Sequence, residues 1–354
     1  MNSQEHELQY PLNDVLPEAG TAIELVPGIR WVQLPLPFAL NHINVWLLRD
    51  SIGGREGWTL IDCGVARDEL KAVWQQVFAG ALDGLPVLRV LVTHMHPDHV
   101  GLAHWICARF NAPLMMTLGE YSTARLFSEG HAQGGVTGGD RSAAFYRSHG
   151  MMDEDALNRV RARASYYSSL VPALPPAYQR LMHGDVIQIG GRSWQVVVGY
   201  GHSPEHASLY CAELETFISG DMVLPRISTN VSVHDDEPYG NPLKLYLDSL
   251  ENYAFVPSDT LILPSHGKPF RGIHTRIGQQ KRHHADRLDE VRDACNKAPH
   301  SALDIVPIMF PRKLDLHQLT FALGESLAHL NMLYLAGELE HVNQNGVNRF
   351  VVAR

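Results

Sequence analysis

The heptapeptide THMHPDH, residues 93–99, directly follows the apolar run Val87–Val92. The run predicts a strand that is buried on both faces, and the residues from the heptapeptide to Phe110 predict a helix. Three imidazoles and one carboxylate thus stand together between a strand and a helix. Burying adjacent polar side chains without partners is costly, so the chain must fold in a way that supplies partners there.

Metal ions are the partners that this residue pattern indicates. On an extended segment alternate side chains share a face, so His94 and His96 can hold one cation. Asp98 and His99 then turn towards a neighbouring cation. Imidazole and carboxylate suit Zn²⁺ but also iron and manganese, so the pattern predicts a metal site without fixing the metal.

Three further metal-ligand candidates follow predicted strands later in the chain. They are His202 in GHSPEH, Asp221 in ISGD and His266 in LPSHG. They can reach the heptapeptide only if the ends of their strands lie together in the fold.

These motifs, in this order, resemble those of the metallo-β-lactamase superfamily over roughly residues 25–275. The resemblance implies an α/β (α+β) fold, a four-layer αββα sandwich of two sheets between helices. It implies that one metal is held by His94, His96 and His202, and a second by Asp98, His99 and His266. It also implies that Asp221 bridges the two metals and that Asp62, in LIDCG, orients the histidine ligands from behind them.

The function implied is hydrolysis by a hydroxide that two divalent metal ions activate, zinc being expected and iron or manganese alternatives. Asp98 is the candidate catalytic residue, since it can bind a metal and orient the nucleophile. The complete ligand set resembles the glyoxalase II branch, which cleaves thioesters. A thiol has a pKa near 8.5 and leaves readily, so the expected small-molecule substrate is a thioester or a related activated ester or lactone.

Three other functions stay open. A C-terminal region like that of the superfamily's small ribonucleases would favour cleavage of RNA phosphodiesters. However, residues 276–354 hold ten Lys/Arg and nine Asp/Glu, so their charge disfavours a nucleic-acid partner. A mononuclear iron sulfur dioxygenase and a non-catalytic winged-helix regulator are the remaining alternatives. An electron-transfer diiron protein is disfavoured, because such members of the superfamily carry a carboxylate where His96 stands.

Periodicity and turn residues divide the chain into an N-terminal extension (1–24), a metallo-β-lactamase-like domain (25–275) and a C-terminal domain (276–354). A helical insertion is expected at about 118–182. Strands are predicted at Trp31–Leu36, Ile43–Leu48, Trp58–Ile61, Val87–Val92, Val186–Ile189, Trp194–Val198, Ser208–Cys211, Phe217–Ser219 and Thr260–Leu263. Helices are predicted at Arg67–Phe78, Pro242–Tyr253, Arg276–Asn296, Ala302–Met309 and from Leu316 to about Ala336.

The C-terminal domain is predicted to be winged-helix-like, because its helices precede a hairpin that turns at Asn345-Gly346. Its last helix carries an apolar stripe, which either its own core or a homodimer contact would cover.

Composition sets the remaining expectations. The formal charge of −9 argues against a broad nucleic-acid-binding surface. No stretch of about 18 uninterrupted apolar residues predicts a membrane span. The N-terminus has no signal-peptide pattern, and the four cysteines form no CxxC pair, so a soluble cytoplasmic protein is expected.

Weaker predictions concern substrate binding, and one is that Asn41-His42, in the loop after Pro37, could line one rim of the site. The segment VSVHDDEPYGN, after Asp221, makes His234 and Tyr239 candidates for the substrate site. Aromatic and methionine side chains of the insertion, among them Phe145, Tyr146 and Met151, could form an apolar wall for an acyl group or simply pack the insertion.

Overall fold

The computed structural model describes residues 3–38, 40–129 and 138–353. Residues 130–137 of the predicted insertion and residues 1–2 of the predicted extension lie outside this description. Within the described residues, the chain forms two compact units. The first contains Met1–Glu129, Ser168–Thr229 and Leu250–Ile277, and the second contains Gly130–Tyr167, Asn230–Ser249 and Gly278–Arg354. The domain boundaries expected from the sequence stay predictions.

A seven-stranded sheet in the first unit contains the strands that follow one another from the N-terminus. In spatial order they are β1 Ile23–Val26, β2 Ile29–Pro35, β3 His42–Ile52, β4 Arg55–Ile61, β5 Val87–Leu91, β6 Leu114–Thr117 and β7 Tyr178–Leu181. The first four are antiparallel, whereas β4 to β7 run parallel. The sequence analysis missed β1, β6 and β7. The last of these is the short YQRL, which has only one buried side chain.

A five-stranded sheet completes the sandwich. Its strands are β8 Val186–Ile189, β9 Arg192–Gly199, β10 His206–Cys211, β11 Thr216–Gly220 and β12 Leu261–Pro264, in the order β12-β11-β10-β9-β8. Trp31 and Trp46 from the first sheet share one buried cluster with Trp194 and Leu209 from the second. Two sheets that bury facing side chains in this way form the inner layers of the predicted αββα sandwich.

The helices are numbered in chain order among the described residues. They are α1 Asp68–Gly80, α2 Pro97–Val100, α3 Ala103–Phe110, α4 Leu118–Ser128, α5 Gly139–Ser148, α6 Glu154–Arg161, α7 Tyr166–Leu170, α8 Pro242–Glu251, α9 Ile273–Lys297, α10 Ala302–Met309 and α11 Leu316–Leu335, with a 3₁₀ turn at Glu5–Glu7. Among these described helices, none is long and apolar enough to cross a bilayer.

The helix predicted after the heptapeptide is α3, and the single turn of α2 precedes it, beginning inside the heptapeptide at Pro97, with a break between the two. Gly101 lies at the break, where a Cβ atom would come within 2.7 Å of the Gly64 carbonyl oxygen and the Ala66 nitrogen. Leu102 donates its backbone N–H to the same Gly64 carbonyl instead of continuing the first helix. The close approach of two backbone segments therefore sets the break and requires glycine there.

In the second unit the helices α9 to α11 precede a hairpin of β13 Leu339–Gln344 and β14 Val347–Val352. This is the element order on which the winged-helix prediction rests. Side chains buried in α11 include Ala322 and Leu330 but also Glu325 and His329. The helix is thus buried on several faces over its middle turns, rather than along the single apolar stripe that the sequence predicts.

Candidate metal centre

The candidate ligands follow strands whose carboxyl ends meet. Strands β4 and β5 are parallel neighbours in one sheet, and β11 and β12 are parallel neighbours in the other. Asp62, the heptapeptide, Asp221 and His266 each come within a few residues of the end of one of these strands. Residues distant in the chain therefore reach one place because the sandwich brings these ends together.

Three imidazoles form the first group. His94 Nε2 lies 2.8 Å from His96 Nδ1 and 3.2 Å from His202 Nε2. His96 is also the residue before Pro97, at which α2 begins. This tri-histidine group is one of the arrangements in which one ligand atom from each residue could bind a common ion.

Two imidazoles and a carboxylate form the second group. Asp98 Oδ2 lies 3.4 Å from His266 Nε2 and 3.7 Å from His99 Nε2. Asp98 and His99 lie in the single turn of α2, and the His99 ring packs against that of His94, with 3.9 Å between the ring centroids. We call these three residues the Asp–His–His group.

Asp221 lies between the two groups. Its Oδ2 is 3.5 Å from His202 Nε2, whereas its Oδ1 is 3.5 Å from His266 Nε2 and 3.7 Å from His99 Nε2. One carboxylate thus directs a different oxygen atom to each group, which is the arrangement that a bridging ligand requires.

The chemistry of these donors fits divalent cations. His99 Nε2 and Asp221 Oδ1 are buried and have no hydrogen-bond partner, a costly state for polar atoms. Two ligand atoms bound to a tetrahedral cation at about 2.1 Å lie about 3.4 Å apart. Six of the seven separations given above, 3.2 to 3.7 Å, are close to that value, whereas the His94–His96 separation is shorter at 2.8 Å.

Electrostatics differs between the two groups. Burial lowers the pKa of His94 and of His96 well below the usual value, and neighbouring imidazoles act in the same direction. Burial also lowers the pKa of His99, but Asp62, Asp98 and Asp221 outweigh it and raise that pKa to about 9. The carboxylates therefore concentrate negative charge at the Asp–His–His group, where a cation would neutralise it.

Asp62 lies behind the Asp–His–His group. Its Oδ2 accepts a hydrogen bond from His99 Nδ1 at 2.8 Å, and its Oδ1 accepts one from the Thr93 backbone N–H at 2.8 Å. With Nδ1 donating to Asp62, Nε2 is the ring nitrogen that faces Asp98 and Asp221, and it would bind a cation once it has lost its proton. Asp62 itself has φ of 64°, so the chain leaves β4 through a left-handed turn that aims this carboxylate.

Two histidines hold the ligand loops in a way that the sequence did not predict, although His42 was named as a residue that could line one rim of the site. His206 Nε2 accepts the backbone N–H of Asp221 at 3.1 Å. His42 accepts the Gly267 N–H on its Nε2 at 3.0 Å, and its carbonyl oxygen accepts a hydrogen bond from His266 Nδ1 at 2.8 Å. GHSPEH contains His206, but nothing in the spacing separates a supporting histidine from a ligand.

A buried glutamate was also missed. Glu120 in α4 accepts three hydrogen bonds, from the Met95 N–H at 2.8 Å and from the Ser203 hydroxyl and the Glu205 N–H at 2.6 Å each. Burial raises the pKa of this carboxyl to about 7, against the opposing effect of those three bonds. The pattern Thr117-x-x-Glu120 is typical of a helix capping box, so the sequence indicated a local role.

The two weaker candidates lie in the second unit, apart in sequence from the ligand motifs. Tyr239 is 86% exposed, and His234 is partly buried. Their place at a substrate site stays a prediction.

Two family models and one curated relative match this chain. The family model for the metallo-beta-lactamase superfamily matches residues 40–266, and that for the metallo-beta-lactamase-like C-terminal domain matches residues 288–353. A Bacillus subtilis (strain 168) protein named "Probable metallo-hydrolase YqjP" is 22% identical over 310 residues, covering 85% of this chain and 91% of that protein.

Solved structures resemble the whole chain. A beta-lactamase domain protein from Burkholderia ambifaria is 55% identical with a TM-score of 0.93, and the match covers 99% of this chain and 100% of that one. The metallo-beta-lactamase family protein TTHA1429 from Thermus thermophilus is 25% identical with a TM-score of 0.76, covering 93% and 100% respectively.

Proposed function

Because this chain belongs to the metallo-beta-lactamase superfamily of metallo-hydrolases, we propose that it hydrolyses a thioester, or a related activated ester or lactone, with two divalent cations. The observation that supports two cations is the position of Asp221, whose oxygens face different groups at 3.5 to 3.7 Å. A single-cation site would not need a carboxylate divided in this way.

In this proposal His94, His96 and His202 hold one cation, whereas Asp98, His99 and His266 hold the other. Zinc is the expected metal, since imidazole and carboxylate donors at tetrahedral spacing suit it, with iron and manganese as alternatives. Bound cations supply Lewis acidity, which lowers the pKa of water and stabilises negative charge on a substrate oxygen.

Asp98 is the proposed catalytic residue. Its Oδ2 faces His99 and His266, at 3.7 and 3.4 Å. Its other oxygen is then the one assigned to accept a hydrogen bond from the attacking water. This contact would aim an oxygen lone pair of the water at the acyl carbon.

The leaving group follows from the same assignment. A carboxylate that binds a cation is ionised, so Asp98 and Asp221 cannot also supply a proton to the leaving group. A thiolate departs without prior protonation, because the thiol pKa near 8.5 is far below that of an alcohol. In the proposed reaction a C–O bond forms between water and the acyl carbon, and the C–S bond breaks with its electron pair on sulfur. The products are a carboxylate and a thiol.

The acyl-binding surface is not assigned to the insertion. Phe145, Tyr146 and Met151 are at most 9% exposed and contribute to the interior of the second unit. This burial supports the packing role that the sequence left open for them.

For the C-terminal region, the order of three helices and a hairpin supports a winged-helix-like arrangement.

A substrate panel tests the proposal. Purified protein loaded with zinc, iron(II) or manganese is assayed on acyl-CoA, acylglutathione and lactone substrates, with single-stranded RNA as the competing class. We expect thioester or lactone turnover that is lost in Asp98→Ala. Failure on every acyl substrate with each metal, or cleavage of RNA alone, would refute the proposed substrate class.

A further inference from the structure

Glu120 connects two loops that carry candidate ligands. Met95, whose N–H it accepts, lies between His94 and His96 in the chain. Ser203, whose hydroxyl it accepts, directly follows His202. Two of the three donors thus adjoin members of the tri-histidine group, and the third, the Glu205 N–H, lies three residues after His202.

The start of α4 is held against the same loop by further bonds. Thr117 donates its hydroxyl to the Glu205 carbonyl oxygen at 2.8 Å, and Gly119 donates its N–H to the Glu205 carboxylate at 2.8 Å. A Thr-x-x-Glu segment at a helix start ordinarily caps its own helix, yet the Thr117 side chain makes no capping hydrogen bond here. Both polar side chains are directed to other segments instead.

Burial makes the loss of any of the Glu120 hydrogen bonds costly. Glu120 is fully buried, and its Oε2 accepts one donor while its Oε1 accepts two. A buried backbone N–H that loses its acceptor cannot turn to water for another. The carboxylate therefore fixes the positions of two backbone N–H groups, those of Met95 and Glu205, relative to each other.

From this geometry we infer that Glu120 is a positioning residue for the tri-histidine group: it sets the backbone spacing at which His94, His96 and His202 can bind one cation. The inference rests on the proposed metal centre. It assigns to Glu120 no contact with metal or substrate. The Asp–His–His group has a separate support in Asp62, which bonds to the His99 ring directly.

The test variant is Glu120→Gln, which keeps the side-chain volume. A glutamine amide has one acceptor oxygen, and its NH₂ group can only donate. In one orientation the NH₂ group opposes the Met95 N–H, and in the other it opposes the Glu205 N–H. Ser203 can rotate its hydroxyl, but either orientation leaves one backbone N–H without an acceptor.

Glu325→Gln is the matched control. Glu325 is a buried glutamate of the second unit, 7% exposed, and burial raises its pKa to about 7 as for Glu120. The same change of charge and hydrogen-bonding capacity is thereby made at a carboxylate whose Asn230 hydrogen bond involves no candidate ligand.

The experiment is a titration of metal-free protein with zinc chloride and cobalt(II) chloride. Stoichiometry, affinity and the cobalt visible spectrum are measured, and anomalous scattering from crystals of the variant locates the retained ion. We expect the wild type and Glu325→Gln to bind two ions alike. Glu120→Gln should bind the tri-histidine ion about 10- to 100-fold more weakly, with the other ion unchanged.

The outcomes separate this inference from the proposed function. Unchanged affinity for both ions in Glu120→Gln, equal weakening of both, or the same loss in Glu325→Gln would overturn the role of Glu120 alone. A wild-type protein that binds no ion would overturn the metal centre and this inference together. Circular dichroism of each variant checks that any loss of metal is not a loss of folding.

Discussion

The two halves of the candidate metal centre are supported in different ways. Behind the Asp–His–His group, Asp62 bonds to the His99 ring and fixes which nitrogen faces the cluster. Beside the tri-histidine group, Glu120 bonds to the Met95 and Glu205 backbone and to Ser203, and leaves the rings alone. One carboxylate therefore orients a ligand, whereas the other holds the loops that carry ligands. Their loss should have different consequences.

The largest effect is expected where the halves meet. Asp221→Ala removes both oxygens that face the two groups, so affinity for both ions should fall together. Hydrolysis should decrease by about 10³-fold or more, since the charge stabilisation that depends on both ions is lost. Metal content by elemental analysis, measured beside the rate, checks this.

The control for that variant is Asp248→Ala, which removes an exposed carboxylate paired with Lys244 on α8. It should retain both ions and full activity. If Asp221→Ala lost only one ion, the halves would not share this carboxylate, and the bridging assignment would be wrong.

A smaller and one-sided effect is expected from Asp62→Asn. The amide cannot accept from both His99 Nδ1 and the Thr93 N–H through separate oxygens, so the imidazole loses its fixed orientation. Affinity for the ion should fall about 10- to 100-fold at the Asp–His–His group only. In Glu120→Gln, by contrast, affinity should fall at the tri-histidine group only. Metal titration and anomalous scattering measure both variants in the same way.

Asp50→Asn provides the matched comparison for Asp62→Asn. Asp50 is buried and accepts hydrogen bonds from Thr59, Arg89 and backbone N–H groups, none of which belongs to a candidate ligand. It should destabilise the fold without changing either metal affinity. Loss of the tri-histidine ion in Asp62→Asn would contradict the division of support between the two carboxylates.

The candidate ligands could be predicted from the sequence more fully than the carboxylates that support them. The candidate ligands lie in short motifs, and their convergence follows once parallel strand ends meet. Asp62 came from the family resemblance. Glu120 has no motif of its own, because its partners lie 25, 83 and 85 residues away and two of its three bonds are to backbone. Backbone contacts leave no residue-type pattern to recognise.

The fold shows the same contrast between elements that follow from local sequence patterns and elements that depend on distant contacts. Strands with β-branched or aromatic residues and helices with regular apolar spacing were predicted close to their observed bounds, as Ala302–Met309 illustrates. The short strand Tyr178–Leu181 was missed, since pairing with β6 rather than its own composition makes it a strand. The break before α3 was missed for a similar reason, as Gly101 depends on contact with a distant segment.

A weaker effect is expected from His42→Ala. This variant removes the acceptor of the Gly267 N–H but leaves the backbone carbonyl that accepts from His266 Nδ1. Loss of one partly exposed hydrogen bond of about 1 kcal/mol should weaken the Asp–His–His ion about fivefold. The metal titration used for the other variants measures this change.

The control for His42→Ala is His183→Ala, which removes an acceptor of the Val198 N–H and should leave metal binding unchanged. If His42→Ala weakened binding of the Asp–His–His ion more than Asp62→Asn did, His42 rather than Asp62 would be the main support of that group.

The smallest effect on the metal centre is expected from Glu325→Gln, which should instead change stability with pH. Burial raises the pKa of Glu325 to about 7, and Asn230 donates a long hydrogen bond of 3.4 Å to the Glu325 carboxylate. A raised carboxyl pKa stabilises the fold fully below the unfolded pKa near 4.5, and this contribution disappears as pH rises through 7. Between pH 5 and pH 8.5 the free energy of urea unfolding should therefore fall by about 2 to 3 kcal/mol more in the wild type than in the variant, which keeps the raised pKa of Glu120. An equal loss in both proteins would mean that Glu325 does not carry this dependence, and a change in metal affinity would mean that the second unit's carboxylate supports the centre after all.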